Sequence, residues 1–281
     1  MCILNDPVIE VSNTSIFCAK DSEGKRQLTI YENLVSTPTG NAMILPFPTV
    51  DGFEGEQLEF HDISKIDGLF SNLHSAFYDP SLRNARSKHL EAECDGMDTD
   101  GKCLEVHDVG SYLASKCYSI KDLKRIDSSV FRLSSGVEAL LRKEYTTGFG
   151  FVVCKLKENP KGEKYEPFAY SHRIPEGKGN ELFIPTKHYH QHSGNVFSKI
   201  YESIFPASVK GDWDHNIFIY DYESGLSGSF NNDKWCWNMS LPRAISQLEA
   251  IVGFPFKSAT SFKKLELAGQ LPNEDLWVHA H

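Results

Sequence analysis

The chain has 281 residues, 40% of them hydrophobic and 12% aromatic, with a formal charge of −9, which suits one well-cored soluble unit. Without a run of Lys or Arg it lacks the concentrated positive surface that broad nucleic-acid or anionic-membrane binding needs, so small molecules and peptides are the expected partners. No apolar stretch approaches the roughly 20 residues that cross a bilayer, the start has neither the basic nor the apolar part of a signal peptide, and seven cysteines without regular spacing read as reduced thiols in a cytosolic protein.

In chain order, 8–11, 15–20, 27–35 and 41–47 read as strands, short and rich in β-branched or aromatic residues, with Asp21-Ser22-Glu23-Gly24 and Pro38-Thr39-Gly40 as turn signals. Ile63, Ile66, Leu69, Phe70, Leu73 and Phe77 fall at helical spacing, which predicts a helix over 63–77. Residues 79–102 lose their aromatics and become polar, a predicted surface excursion. Strand character returns over 103–120, short helices follow at 122–126 and 134–143, and Ser134 or Ser135 serves as N-cap. The nearly unbroken apolar run from Gly148 to Leu156 predicts a central strand covered on both faces. Strands over 168–172, 181–185 and 213–220 and a helix over 244–252 complete the expectation. It is a single α+β domain with a mostly antiparallel sheet and flanking helices, compatible with N-terminal-nucleophile-hydrolase layers.

Chemistry concentrates in Lys187-His188-Tyr189-His190-Gln191-His192 and in Asp212-Trp213-Asp214-His215. Residues two apart in a strand share a face, so an extended chain projects His188 and His190 together, and a neighbouring strand brings in His215. Three imidazoles with an open position suit zinc or iron, which would lower the pKa of a bound water to about 7. Surface histidines beside a glycine turn, with His215 hydrogen-bonded in the core, are the plainer reading. Cys2 is the second focus. Removal of Met1 would leave it as a free N-terminus with a thiol and an α-amine of ordinary pKa about 8, nucleophile and base in one residue, as in N-terminal-nucleophile hydrolases. Taken alone, a cysteine at position two is better explained by coincidence, which needs no mechanism. Cys18, inside Ser15-Ile16-Phe17-Cys18-Ala19, reads as a core thiol.

Other groupings carry less. His89, Cys94, Cys103 and His107 lack zinc-finger spacing. Gly148-Phe149-Gly150 enters a strand where a dinucleotide fingerprint would join a strand to a helix. Trp235-Cys236-Trp237 alternates as sheet packing does.

The start Met1-Cys2-Ile3, the stretches Thr14-Ser15-Ile16-Phe17 and Ala42-Met43-Ile44-Leu45-Pro46, and later Val106-His107-Asp108-Val109-Gly110, Gly148-Phe149-Gly150-Phe151, Phe183-Ile184-Pro185-Thr186-Lys187-His188-Tyr189-His190 and Asp214-His215 resemble a family of uncharacterised bacterial and microbial eukaryotic proteins. The resemblance covers most of the chain up to about Tyr220. It implies a single module in which Cys2 and the paired histidines recur together, and it supplies no activity. Residues 79–102 and the tail beyond Tyr222 match it least and are not expected to carry chemistry.

Three functional readings follow. In the first, a cysteine-dependent amide or peptide hydrolase needs no cofactor: Cys2 attacks a carbonyl, its amine or His188 or His190 carries the proton, Asp214 or Asp212 orients the base, and a backbone N–H with Asn41 or Asn238 holds the oxyanion. The second is a metal-dependent hydrolase with His188, His190 and His215 as ligands. The third is a non-catalytic binding or scaffold protein with structural histidines.

Overall fold

The computed structural model describes residues 3–37, 40–76, 104–156, 165–189, 211–221, 234–236, 241–256 and 261–280. Cys2, His190, His192, Asn238 and the predicted excursion at 79–102 lie outside the described residues.

Five strands form one antiparallel sheet: β1 (Ile3–Leu4), β4 (Asn41–Pro48), β8 (Phe149–Leu156), β7 (Tyr112–Cys117) and β6 (His107–Val109), in that order. A seven-stranded sheet runs β12 (Lys234–Cys236), β13 (Ser261–Leu271), β11 (Gly211–Asp221), β2 (Glu10–Lys20), β3 (Arg26–Ser36), β9 (Phe168–Arg173) and β5 (Leu58–His61). It is mixed, because β11 runs parallel to β2 from Asn216↔Ser15 to Tyr220↔Ala19. A two-stranded ribbon of β10 (Glu181–Ile184) and β14 (Leu276–His279) completes the strands.

Alternation along each strand divides the core. On the inner faces, Leu4, Met43, Leu45, Val152 and Cys154 of one sheet meet Ile16, Cys18, Tyr31, Tyr170, Ile217 and Ile219 of the other, and Leu182, Ile184 and Val278 of the ribbon join them. The outer face of the seven-stranded sheet, with Phe17, Leu28, Ile30 and Phe218, is covered by Leu69, Phe70 and Leu73 of α1 (Leu69–Ala76) and Leu248 of α3 (Leu241–Val252). Val137 and Leu141 of α2 (Ser135–Glu144) pack on Ile3, Ala42, Ile44, Phe151 and Val153 of the other sheet. The Ser134 hydroxyl accepts the Val137 N–H at the start of α2, the predicted cap. No helix among the described residues is long and apolar enough to cross a membrane.

The α+β expectation with N-terminal-nucleophile-like layers is corrected. Strands take 47% of the described residues and helices 15%, so the molecule is mostly β, built on one antiparallel and one mixed sheet. The physical reason lies in the tail. Lys263-Lys264-Leu265-Glu266-Leu267-Ala268 has helix-favouring composition, yet it forms part of β13, hydrogen-bonded to β11 along eleven residue pairs and to β12 on its other edge. Ladder pairing and burial outweigh local propensity there. The predicted helix over 63–77 shortens as well, because Gly68 adopts φ +62°, outside the right-handed helical region.

Candidate active site

Three chain segments meet at one end of the ribbon. The Leu4 N–H donates to the Tyr189 carbonyl (2.9 Å), and Ile3 pairs with Tyr189 in parallel while β1 pairs antiparallel with β4. The amino-terminal strand is thereby seated against the histidine-bearing segment. On the other side of that segment, Nε2 of His188 lies 3.4 Å from Nδ1 of His215, the rings 4.4 Å apart and close to perpendicular at 88°. One nitrogen donates and the other accepts. Of the residues named from the sequence, the structure places His188 and His215 in contact.

His215 reaches the interior through the period of its strand. It is two residues from Ile217, an inner-core residue, and is 1% exposed. Burial first, and the adjacent His188, hold its imidazole pKa far below the usual histidine range, because both disfavour the charged ring. The ring is therefore neutral at pH 7. His188 is half-buried.

Asp214 is exposed. Its Oδ1 sits 3.6 Å from Nδ1 of His215, while Oδ2 accepts the Asn13 backbone N–H (2.5 Å). Asn13 has φ +54° and lies where the β2–β3 register shifts between Ser12 and Ser15. Asp214 therefore ties the rim of the histidine pair to a bulge.

Asn41, an oxyanion candidate from residue type, has its amide engaged by backbone. Its Nδ2 donates to Asp6 O (2.8 Å), and its Oδ1 accepts from Asp6 N (3.1 Å) and Ala42 N (2.7 Å). Asn5 links the same turn to α2, its Oδ1 accepting from Ser134 N (2.8 Å) and its Nδ2 donating to Arg132 O (2.9 Å).

Two residues of the tail, a region not expected to carry chemistry, hold the His188 segment. Asp275 Oδ1 accepts the N–H groups of Thr186 (2.9 Å) and Lys187 (2.8 Å), and its Oδ2 accepts the Tyr145 hydroxyl (2.5 Å). Asn273 accepts the His188 N–H and donates to the His188 carbonyl, both at 2.7 Å. Burial raises the Asp275 carboxyl pKa, opposed by the Tyr145 and Lys187 hydrogen bonds. Lys187 bonds Glu144 (2.8 Å) and thereby lowers that carboxyl's pKa. The one sequence signal for this clamp is Pro272-Asn273-Glu274-Asp275 before a strand, a cluster whose short polar side chains bond to nearby backbone.

Among the described residues no group of three or more His, Cys, Asp or Glu side chains has metal-binding geometry. His188 and His215 form a pair, and His190, the third expected ligand, lies outside the described residues.

No protein-family model matches the chain, and no curated protein matches it. Among solved structures it is similar to baculovirus P35, at a TM-score of 0.42 and 13% identity over 97% of this chain and 97% of that one. It is also similar to a mutated baculovirus P35 after caspase cleavage, at a TM-score of 0.45 and 12% identity over 96% and 99%. At these values neither likeness assigns a role to any residue.

Proposed function

We propose that the protein is a cysteine-dependent enzyme acting on amide or peptide carbonyls, with the Cys2 thiol as nucleophile and His188, seated against the neutral His215 ring, as proton acceptor. The observation that carries this reading is the 2.9 Å hydrogen bond from Leu4 N–H to Tyr189 O, which seats the strand following Cys2 beside His188. Leu4 faces the inner core and Ile3 the outer one. His215, two residues from inner-core Ile217, lies on the Leu4 side. A neutral imidazole takes the thiol proton. The thiolate then attacks the carbonyl carbon, the C–N bond breaks, the amine leaves with the proton returned by the imidazolium, and water hydrolyses the resulting thioester. With the Asn41 amide engaged, backbone N–H groups are the oxyanion donors. A peptide-sized substrate and a cytosolic setting that keeps thiols reduced belong to the same proposal.

The test combines intact mass, which reads Met1 removal, with alkylation mapping and a fluorogenic amide panel on wild type, Cys2→Ala and His188→Gln. Cys2 is expected to react fast. Cys18, Cys117 and Cys154 are buried and stay inert until unfolding, with burial pushing the Cys18 thiol up to about 12. Amide turnover that survives Cys2→Ala unchanged, or a Cys2 no faster than an ordinary thiol, sinks the reading. A set of peptidases with a caspase among them separates turnover from capture. A one-to-one complex in place of product would make the chain a peptidase-binding protein.

One distance favours a second reading. Two nitrogens on a tetrahedral zinc with bonds of about 2.0–2.1 Å stand about 3.3–3.4 Å apart, matching the 3.4 Å between His188 and His215. His188 Nε2 and His215 Nδ1 would be two ligands, with His190 as the third, and bound zinc would supply a water acidic near neutral pH. Elemental analysis of untagged protein decides: stoichiometric zinc lost in His215→Gln supports it, and metal-free protein after zinc supplementation overturns it.

A further inference from the structure

The β10–β14 ladder ends at Ile184↔Leu276, and the next residue, Pro185, has no N–H to continue it. Beyond that point the two backbones part, and side chains of one segment take over the pairing of the other. Asp275 accepts two consecutive N–H groups, those of Thr186 and Lys187. The Thr186 hydroxyl donates to Glu274 O (2.8 Å). Asn273 then bonds both the N–H and the C=O of His188, as a strand partner would, and so fixes that residue along and across the segment. The second oxygen of Asp275 fastens the arrangement to Tyr145, whose own N–H closes the last turn of α2 on Leu141 O (2.9 Å). His188 therefore meets His215 because its backbone is held at three successive residues by two side chains from the opposite strand's lead-in.

We propose that Asn273 and Asp275 are positioning residues for the His188–His215 pair, an assignment whose functional meaning rests on the thiol–imidazole reading above. Each acts by fixing the place of the His188 Cα, from which the ring reaches the 3.4 Å contact. A role confined to stability would be satisfied by any variant that restores the melting temperature. A positioning role also requires the two rings to keep fixed, complementary tautomers.

Full-length protein labelled with ¹⁵N-histidine tests this through ring-nitrogen correlation spectra, recorded with the Cys2 alkylation rate at pH 7. In the wild type, one of the two facing nitrogens is protonated and the other is not. Asn273→Ala is expected to turn His188 into an averaging tautomer mixture and to slow Cys2 alkylation about tenfold, with the His61 and His172 signals unmoved as reporters of the fold. Asn273→Asp, which keeps the acceptor for the His188 N–H and loses the donor, falls between. Unchanged ring spectra in folded Asn273→Ala overturn the positioning role. If the wild-type spectra are as expected while His188→Gln leaves the alkylation rate untouched, the thiol–imidazole reading fails by itself and the positioning role is judged on the ring spectra.

Discussion

Asp275 holds three donors with two oxygens, and the balance between those bonds and its burial decides what a substitution there does. Removing the side chain leaves the Thr186 and Lys187 N–H groups and the Tyr145 hydroxyl without their acceptor. At about 1 kcal/mol or more for each stranded donor, Asp275→Ala is expected to lose about 3 kcal/mol in urea unfolding. Asp275→Asn keeps an acceptor for both N–H groups, and the Tyr145 hydroxyl rotates to accept from the new amide, so stability at pH 7 stays within about 1 kcal/mol of wild type. The sign with pH follows from the raised carboxyl pKa. The contribution of this group is fully present below the unfolded value of about 3.9 and is lost as pH rises through the folded pKa. Asp275→Asn is therefore expected to flatten that part of the profile, and equal slopes in the two proteins would overturn this account. Sequence reading named His188 from period-two alternation and His215 from its apolar strand-like segment, and it did not name Asn273 or Asp275. A side chain that bonds to a distant backbone leaves no periodic trace.

Apart from the short β1 and β5, for which the sequence reading named no strand, the strands through β11 were legible because their apolar residues are β-branched or aromatic and their boundaries carry turn residues. Strands β13 and β14 were not. The β13 composition favours a helix, and the partners that hold it as a strand are remote in sequence. A subtler case is β2, which the sequence divides into 8–11 and 15–20. The structure makes one strand, Glu10–Lys20, with the apparent break occupied by a bulge at Asn13. After the bulge β2 acquires β11 as a second neighbour, beginning at Asn216↔Ser15. The bulge thus marks where the seven-stranded sheet gains the strand that carries His215. Asn13 sits at φ +54°, a conformation that asparagine and glycine tolerate better than other residues. Asn13→Gly is expected to be near neutral, Asn13→Ala to lose about 1 kcal/mol, and Asn13→Val about 2 kcal/mol. Urea midpoints at a common m-value rank them, and a valine variant as stable as wild type would mean that the bulge relaxes without cost.

At the scale of the whole molecule, patterning showed which strands are covered on both faces and could not show by what. Here the coverage is the opposite sheet within and short helices without, and polar side chains in the interior join the ribbon to the seven-stranded sheet. Lys20 donates to Gly179 O (2.7 Å) and to Ala280 O. Gln27, 1% exposed, donates to Phe183 O (2.6 Å) and accepts from Phe183 N (2.9 Å). Its cross-strand neighbour His172 is also buried, and among the described residues its Nε2 meets no hydrogen-bonding group. Burial holds that imidazole down at about 4. The unfolded ring takes up a proton near pH 6.5 and the folded ring does not, so stability falls as pH drops from about 6.5 to 4, by on the order of 3 kcal/mol. His172→Phe should remove that part of the acid limb in pH-dependent urea unfolding, and an unaltered limb would assign it to other groups. Gln27→Leu tests the joint itself. The leucine fills similar space and strands both polar groups of Phe183, for an expected loss of about 3 kcal/mol. Because β10 leads directly into Pro185 and the His188 segment, the same substitution should also speed hydrogen exchange at Phe183 and loosen the His188–His215 contact, although Gln27 touches neither ring. Loss of stability with the histidine spectra intact would show that the clamp from Asn273 and Asp275 places His188 without help from the sheet. Loss of both would make the Gln27 joint the point through which the seven-stranded sheet sets the geometry of the site.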